Sequence, residues 1–177
     1  MSALTVTRLT PALGAAIAGV DLAHEIDDGT FAQIQRTLDE HSVIVLRGQL
    51  PPQRQVDFTQ KLGALKATPL LDDYALPGFP DIMRVSNIIE NGKHIGNPDA
   101  GVFWHSDGAY QKTPAMYSLL YAVEVPTKDG RTFGDTLYAS TAAAYDALPD
   151  AKKRALATLT AVHSLHHQYE KKKSAGV

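Results

Sequence analysis

The sequence predicts a mainly β fold with flanking helices, of the α+β class. Short alternating or β-branched apolar runs recur at 5–9, 12–21, 42–47, 81–87 and 116–123, and such runs fit a pleated surface buried on one or both faces. Between them, 27–41 and 51–63 carry apolar residues three and four apart, the spacing of a helix with one buried face. Clusters of Gly, Pro, Asn and Asp at 65–80, 91–101 and 126–133 punctuate the chain as loops and turns.

In order, Thr5-Val6-Thr7-Arg8-Leu9 alternates as a strand, and 12–21 is a glycine-punctuated apolar strand with a tight bend. Asp27 and Asp28 stand where an N-cap belongs, ahead of Phe31, Ile34 and Leu38, so a helix runs to about His41. His41 then reads as a helix-end residue rather than a ligand. Ser42-Val43-Ile44-Val45-Leu46-Arg47 is a continuous run for a buried strand, ended by Gly48. Pro51 and Pro52 open a second helix, where a missing amide costs nothing. Val56, Phe58, Thr59 and Leu62 form its inner face, and Gly63 stops it.

The loop at 65–80 sits where substrate contacts commonly gather. Residues 81–87 alternate as a strand, and 91–101 reads as a polar mobile flap with His94 exposed. Residues 116–123 predict a strong strand backing the segment around His105, followed by a turn at 126–133. Ser140 caps a helix through Tyr145 and Leu148. Pro149 starts another over 150–159, whose Lys152-Lys153-Arg154 makes a solvated face. Residues 160–165 predict a last strand carrying His163, with His166 and His167 after it.

A length of 177 residues, 44% hydrophobic and 20% charged, fits a single globular domain spanning 1–177. The net charge of −2 argues against an electrostatic nucleic-acid partner. No apolar run approaches the ~20 residues of a membrane span, and the N-terminus lacks a basic-then-apolar signal pattern. The absence of cysteine removes disulfides, thiolate metal ligands and thiol nucleophiles. These features predict a cytoplasmic protein with a small-molecule partner, no nucleic acid and no membrane, and leave a homo-oligomer open.

Chemistry concentrates at Val102-Phe103-Trp104-His105-Ser106-Asp107-Gly108-Ala109-Tyr110. In a strand, His105 and Asp107 share one face. An imidazole nitrogen beside a carboxylate is half of a divalent-metal site, and a second histidine would complete the two-His-one-carboxylate face that suits non-heme Fe(II). The same tripeptide also fits a half-buried strand whose polar residues satisfy each other. Phe103 and Trp104 serve either as core fillers or as rings that restrict the imidazole and exclude water. Asp135 and Thr136 on their own fit a hydrogen-bonded turn.

Three ordered blocks carry a resemblance. Trp104-His105-Ser106-Asp107, preceded by Pro98-Asp99-Ala100-Gly101, resembles the metal-binding segment of the taurine dioxygenase/TfdA family of Fe(II)- and 2-oxoglutarate-dependent oxygenases. Glu124-Val125-Pro126, then Gly134-Asp135-Thr136-Leu137-Tyr138-Ala139-Ser140, then Ala143-Ala144-Tyr145-Asp146-Ala147-Leu148-Pro149 agree in order and spacing. Gly14-Ala15-Ala16-Ile17-Ala18-Gly19-Val20-Asp21-Leu22 resembles the family's opening.

The resemblance implies a double-stranded β-helix, a jelly-roll of the clavaminate synthase-like kind, here incomplete. It implies Fe(II) held by His105 and Asp107, 2-oxoglutarate as cosubstrate with Thr136 donating to its far carboxylate, and O2. The implied reaction hydroxylates a small organic acid, a sulfonate or aryloxyalkanoate, with release of succinate and CO2. Thr68 and Gly101 depart from the taurine-acting member's histidine and asparagine, which counts against taurine itself.

The family's second metal histidine and 2-oxoglutarate arginine lie further along than the polar Lys171-Lys172-Lys173-Ser174-Ala175-Gly176-Val177, and no arginine follows Arg154. The expectation is therefore an oxygenase domain truncated on its C-terminal side. Two other readings stay open. One is a truncated, non-catalytic relative acting as a binding or assembly module. The other is a compact, prolyl-hydroxylase-like oxygenase using His163, 58 residues beyond His105, as third ligand, with Lys173 as the cosubstrate's basic residue.

Overall fold

The computed structural model describes residues 4–65, 73–98 and 100–166, and its buried side chains all lie between Ala15 and Phe58. β1 (Thr5–Arg8) pairs antiparallel with β2 (Ala15–Ala18), which pairs in parallel with β3 (Ile44–Leu46). A parallel pair needs a crossover, and α1 (Asp28–His41) is that crossover. It starts where the sequence places it. Asp27 Oδ1 accepts from the Thr30 amide at 2.9 Å and Oδ2 from the Thr30 hydroxyl at 2.7 Å, which satisfies one of the helix's orphan donors.

α2 (Pro52–Leu62) follows, with Pro at its first position and Gly63 beyond its end. Ile17 of β2, Ile34 of α1 and Phe58 of α2 form the buried core, ringed by partly buried Phe31, Ile44, Leu46, Leu62 and Leu119. The rings of Phe31 and Phe58 meet edge-to-face at 5.6 Å and 71°. Lys61 lies over the Phe31 ring and reaches Asp28 Oδ1 at 3.0 Å.

The remaining strands form two-stranded ribbons. β4 (Ala75–Leu76) pairs with β5 (Phe79–Met83), β6 (Ile89–Glu90) with β7 (Lys93–His94), and β8 (Thr127–Lys128) with β9 (Arg131–Thr132). The flap expected at 91–101 thus begins as a hairpin. Asn91 (φ 51°) and Gly92 (φ 77°) close it, as Asp129 (φ 53°) and Gly130 (φ 74°) close the ribbon at 126–133. Consecutive positive φ angles match the strand twist, and Asn-Gly and Asp-Gly supply them with least strain. α3 (Thr141–Asp146), capped by Ser140, and α4 (Asp150–Leu156) end the regular structure.

Helix outweighs strand among the described residues, with helices of 14, 11, 6 and 7 residues against strands of two to five. The mainly β expectation is corrected accordingly to a mixed helix-and-strand architecture with small sheets. The strands expected at 116–123 and 160–165 do not form, and His105 and Asp107 lie outside any strand. A strand persists only where a neighbour bonds its amides and carbonyls. Residues 116–123 have no ladder partner among the described residues and leave Met116, Leu120 and Val123 exposed. No helix among the described residues is long and apolar enough to cross a membrane.

Candidate metal centre

Two successive turns shape the segment after Trp104. The Ala109 amide donates to the Ser106 carbonyl at 3.2 Å, and the Gln111 amide to the Gly108 carbonyl at 2.8 Å. Gly108 sits at φ 64°, a conformation open to glycine at little cost. Asp107 thereby faces back toward His105, and Asp107 Oδ1 stands 3.2 Å from His105 Nε2. The two side chains converge without the expected strand.

The other imidazole nitrogen is already engaged. His105 Nδ1 lies 2.7 Å from the Phe103 carbonyl oxygen. A carbonyl only accepts, so Nδ1 carries the hydrogen and donates it. In the neutral ring Nε2 then presents its lone pair to a carboxylate oxygen. Two lone pairs at that distance repel unless a cation, a proton or a metal ion, sits between them. Asp107 Oδ2 is occupied separately by the Ser118 hydroxyl, which donates to it. The side chains of His105 and Asp107 are 44% and 53% exposed, so a ligand reaches them from solvent.

Thr136 lies exposed on the irregular stretch between β9 and α3 and makes no side-chain hydrogen bond among the described residues. Trp104 is 71% exposed. The Phe103 carbonyl holds the imidazole's orientation through Nδ1. His163 is exposed outside any helix or strand. Among the described residues no three His, Asp or Glu side chains gather as a metal site, so His163 does not join His105 and Asp107. Thr68, Asp99, His167 and Lys173 lie outside the described residues.

Sequence reasoning missed two groups. The Phe103 carbonyl has no side-chain signature. Ser118 had one: it is the single hydroxyl inside the apolar run Met116-Tyr117-Ser118-Leu119-Leu120 apart from the tyrosine beside it.

An imidazole with one nitrogen held by the backbone and the other set against a carboxylate defines a candidate non-heme metal centre. The model of the "Taurine catabolism dioxygenase TauD, TfdA family" matches residues 5–176, and the chain belongs to that family. It is 35% identical over 173 residues to the pentalenolactone F synthase of Streptomyces avermitilis, covering 95% of this chain and 55% of that protein. It is 33% identical over 166 residues to the alpha-ketoglutarate-dependent 2,4-dichlorophenoxyacetate dioxygenase of Cupriavidus pinatubonensis, covering 88% of this chain and 56% of that one. The chain spans about half the length of the curated relatives it matches. Among solved structures, AAD-2 in complex with Mn(II) and N-oxalylglycine superposes with a TM-score of 0.60 at 16% identity, covering 96% of this chain and 56% of that one. That likeness speaks to the fold.

Proposed function

We propose that the chain supplies the Fe(II)- and 2-oxoglutarate-binding part of a dioxygenase that hydroxylates a small organic acid, with release of succinate and CO2. The observation that carries this reading is the 3.2 Å approach of His105 Nε2 to Asp107 Oδ1 with Nδ1 already donating to Phe103. Two donor atoms each ~2.1 Å from a divalent ion in adjacent octahedral positions stand ~3 Å apart, and the pair fits that separation. The donor types fit too, since imidazole and carboxylate suit iron and the sequence offers no thiolate.

His105 would hold the metal through Nε2, kept in one tautomer by the Phe103 carbonyl. Asp107 would hold it through Oδ1 and offset one unit of its charge. A second histidine would complete the face. Thr136 would donate its hydroxyl to the far carboxylate of 2-oxoglutarate. Iron, 2-oxoglutarate and O2 supply the oxidising chemistry when bound, and the protein's share is positioning and water exclusion. The complete fold in this reading is a double-stranded β-helix in which residues 1–177 belong to one domain. The substrate class follows the family's taurine description and the aryloxyacetate named for one relative, which points to sulfonates and aryloxyalkanoates.

The test is succinate formation from 2-oxoglutarate with Fe(II) and O2 across sulfonates, aryloxyalkanoates and other small organic acids. At least one acid should raise succinate above the substrate-free level, and Asp107→Ala should abolish the rise. A protein that releases no succinate and whose affinity for Fe(II) or Mn(II) is unaffected by His105→Ala and Asp107→Ala overturns the reading.

A further inference from the structure

Resting on that reading of the centre, we propose that Ser118 is a positioning residue that decides which oxygen of Asp107 meets the metal. A carboxylate offers two equivalent oxygens, and its terminal torsion is broad. Left free, it swings between one-oxygen and two-oxygen grips or turns away. The Ser118 hydroxyl donates to Oδ2, and Oδ1 is the oxygen left facing His105 Nε2 at 3.2 Å. The two oxygens have separate partners, and the division is made by Ser118.

The aim of that hydroxyl is set from behind. Tyr117 and Leu119 are half-buried while Ser118 between them is exposed, the alternation of an extended chain. The Tyr117 hydroxyl donates to Asp39 Oδ1 of α1 at 2.8 Å. Leu119 packs against the Ile17, Ile34 and Phe58 core. The residues on either side of Ser118 are thus fastened to the helix-and-sheet layer, which turns Ser118 the other way, onto Asp107. The helix and core act on the centre through one hydroxyl.

The experiment is a Mn(II) titration of the chain by calorimetry and electron paramagnetic resonance. Ser118→Ala should weaken Mn(II) binding by about 10–100-fold, the usual cost of losing a partner that orients a ligand, and should alter the Mn(II) spectrum. Ser118→Thr should stay within about threefold of the parent and keep its spectrum. Ser118→Val, which matches Thr in shape and lacks only the hydroxyl, should behave as Ser118→Ala, so a general packing effect separates from the hydroxyl's. Wild-type affinity and spectrum in both Ser118→Ala and Ser118→Val, while Asp107→Ala and His105→Ala lose binding, overturns the role of Ser118 and leaves the centre standing. Unchanged binding in Asp107→Ala and His105→Ala removes the centre, and the inference with it.

Discussion

The Tyr117 hydroxyl donates to Asp39 Oδ1 at 2.8 Å, joining residues 78 positions apart. It ties the segment behind the candidate centre to α1, the crossover helix of the three-stranded sheet. Residues 116–123 have no ladder partner among the described residues, and this bond and the packing of Leu119 help to hold that segment to the core. The hydrogen bond to Asp39 is the leading cause that raises the Tyr117 pKa above its usual 10.0, with desolvation and the Asp39 charge adding to it. A raised folded-state pKa means the contribution is fully present below about pH 10 and is lost as pH climbs through the higher folded value. In a tyrosinate absorbance titration one tyrosine should titrate later than the rest, and Tyr117→Phe should remove that late phase. The same variant should lower Tm by about 2–4 °C. A titration curve unchanged by Tyr117→Phe would contradict the tether.

The cap of α1 responds to acid in the opposite sense. Thr30 lowers the Asp27 pKa, first through its amide and then through its hydroxyl. A depressed folded-state pKa gives stability present above about pH 3.9 and lost as pH falls through the lower folded value. Asp27→Ala should lower Tm at neutral pH by about 2–4 °C. Asp27→Asn keeps an acceptor for the Thr30 amide, so it should retain most of the cap while flattening the acid limb of the Tm-against-pH curve. Thermal scans from neutral to acid pH check both. Equal acid sensitivity in Asp27→Asn and the parent would show that other carboxylates dominate.

Ile34 is fully buried and meets both Ile17 and Phe58. Truncation to Ala removes three heavy atoms from the middle of this cluster, costing about 2–5 kcal/mol. Few side chains in the described structure are buried at all, and a domain's whole margin is about 5–15 kcal/mol. Ile34→Ala should therefore leave the chain largely unfolded at 37 °C, whereas Ile34→Val should cost only about 0.5–1.5 kcal/mol. Urea unfolding followed by far-UV circular dichroism separates the two. A fully folded, near-wild-type Ile34→Ala would move the core elsewhere.

How far the sequence could be read depended on the range of each interaction. Asp27, Pro52, Gly63 and Ser140 marked helix ends because caps and stops act within one turn. Asn91-Gly92 and Asp129-Gly130 are equally local. Their positive φ angles explain why the supposed flap opens on a hairpin. The run at 116–123 is another matter. Its composition declares burial, but a strand's existence depends on a partner that composition does not name, and none pairs with it among the described residues. His105 and Asp107 were legible from their motif, and the turn at Ser106 and Ala109 that brings them together was not. Thr136 followed from family resemblance alone, and among the described residues no side-chain hydrogen bond joins it to the pair.

The 3.2 Å approach of His105 Nε2 to Asp107 Oδ1 makes a prediction that separates a metal ligand pair from an ordinary ion pair. With Nδ1 donating to Phe103, a neutral ring has only the Nε2 lone pair to set against Asp107 Oδ1 at 3.2 Å. Asp107→Asn keeps the side chain's shape and an acceptor for Ser118, removes the charge, and brings an amide that can donate to Nε2. Metal-free, that variant should be as stable as the parent or more so, with Tm unchanged or raised by about 2 °C, because a repulsive contact becomes a hydrogen bond. Saturating Mn(II) should raise the parent's Tm by several degrees, since a ligand at about 100 times its Kd adds about 2.7 kcal/mol. It should leave the variant's Tm where it was. Thermal scans with and without Mn(II) read both effects. A metal-free variant several degrees less stable than the parent would mean that His105 carries a proton for Asp107 and that the pair is held together for structure, not for a cation.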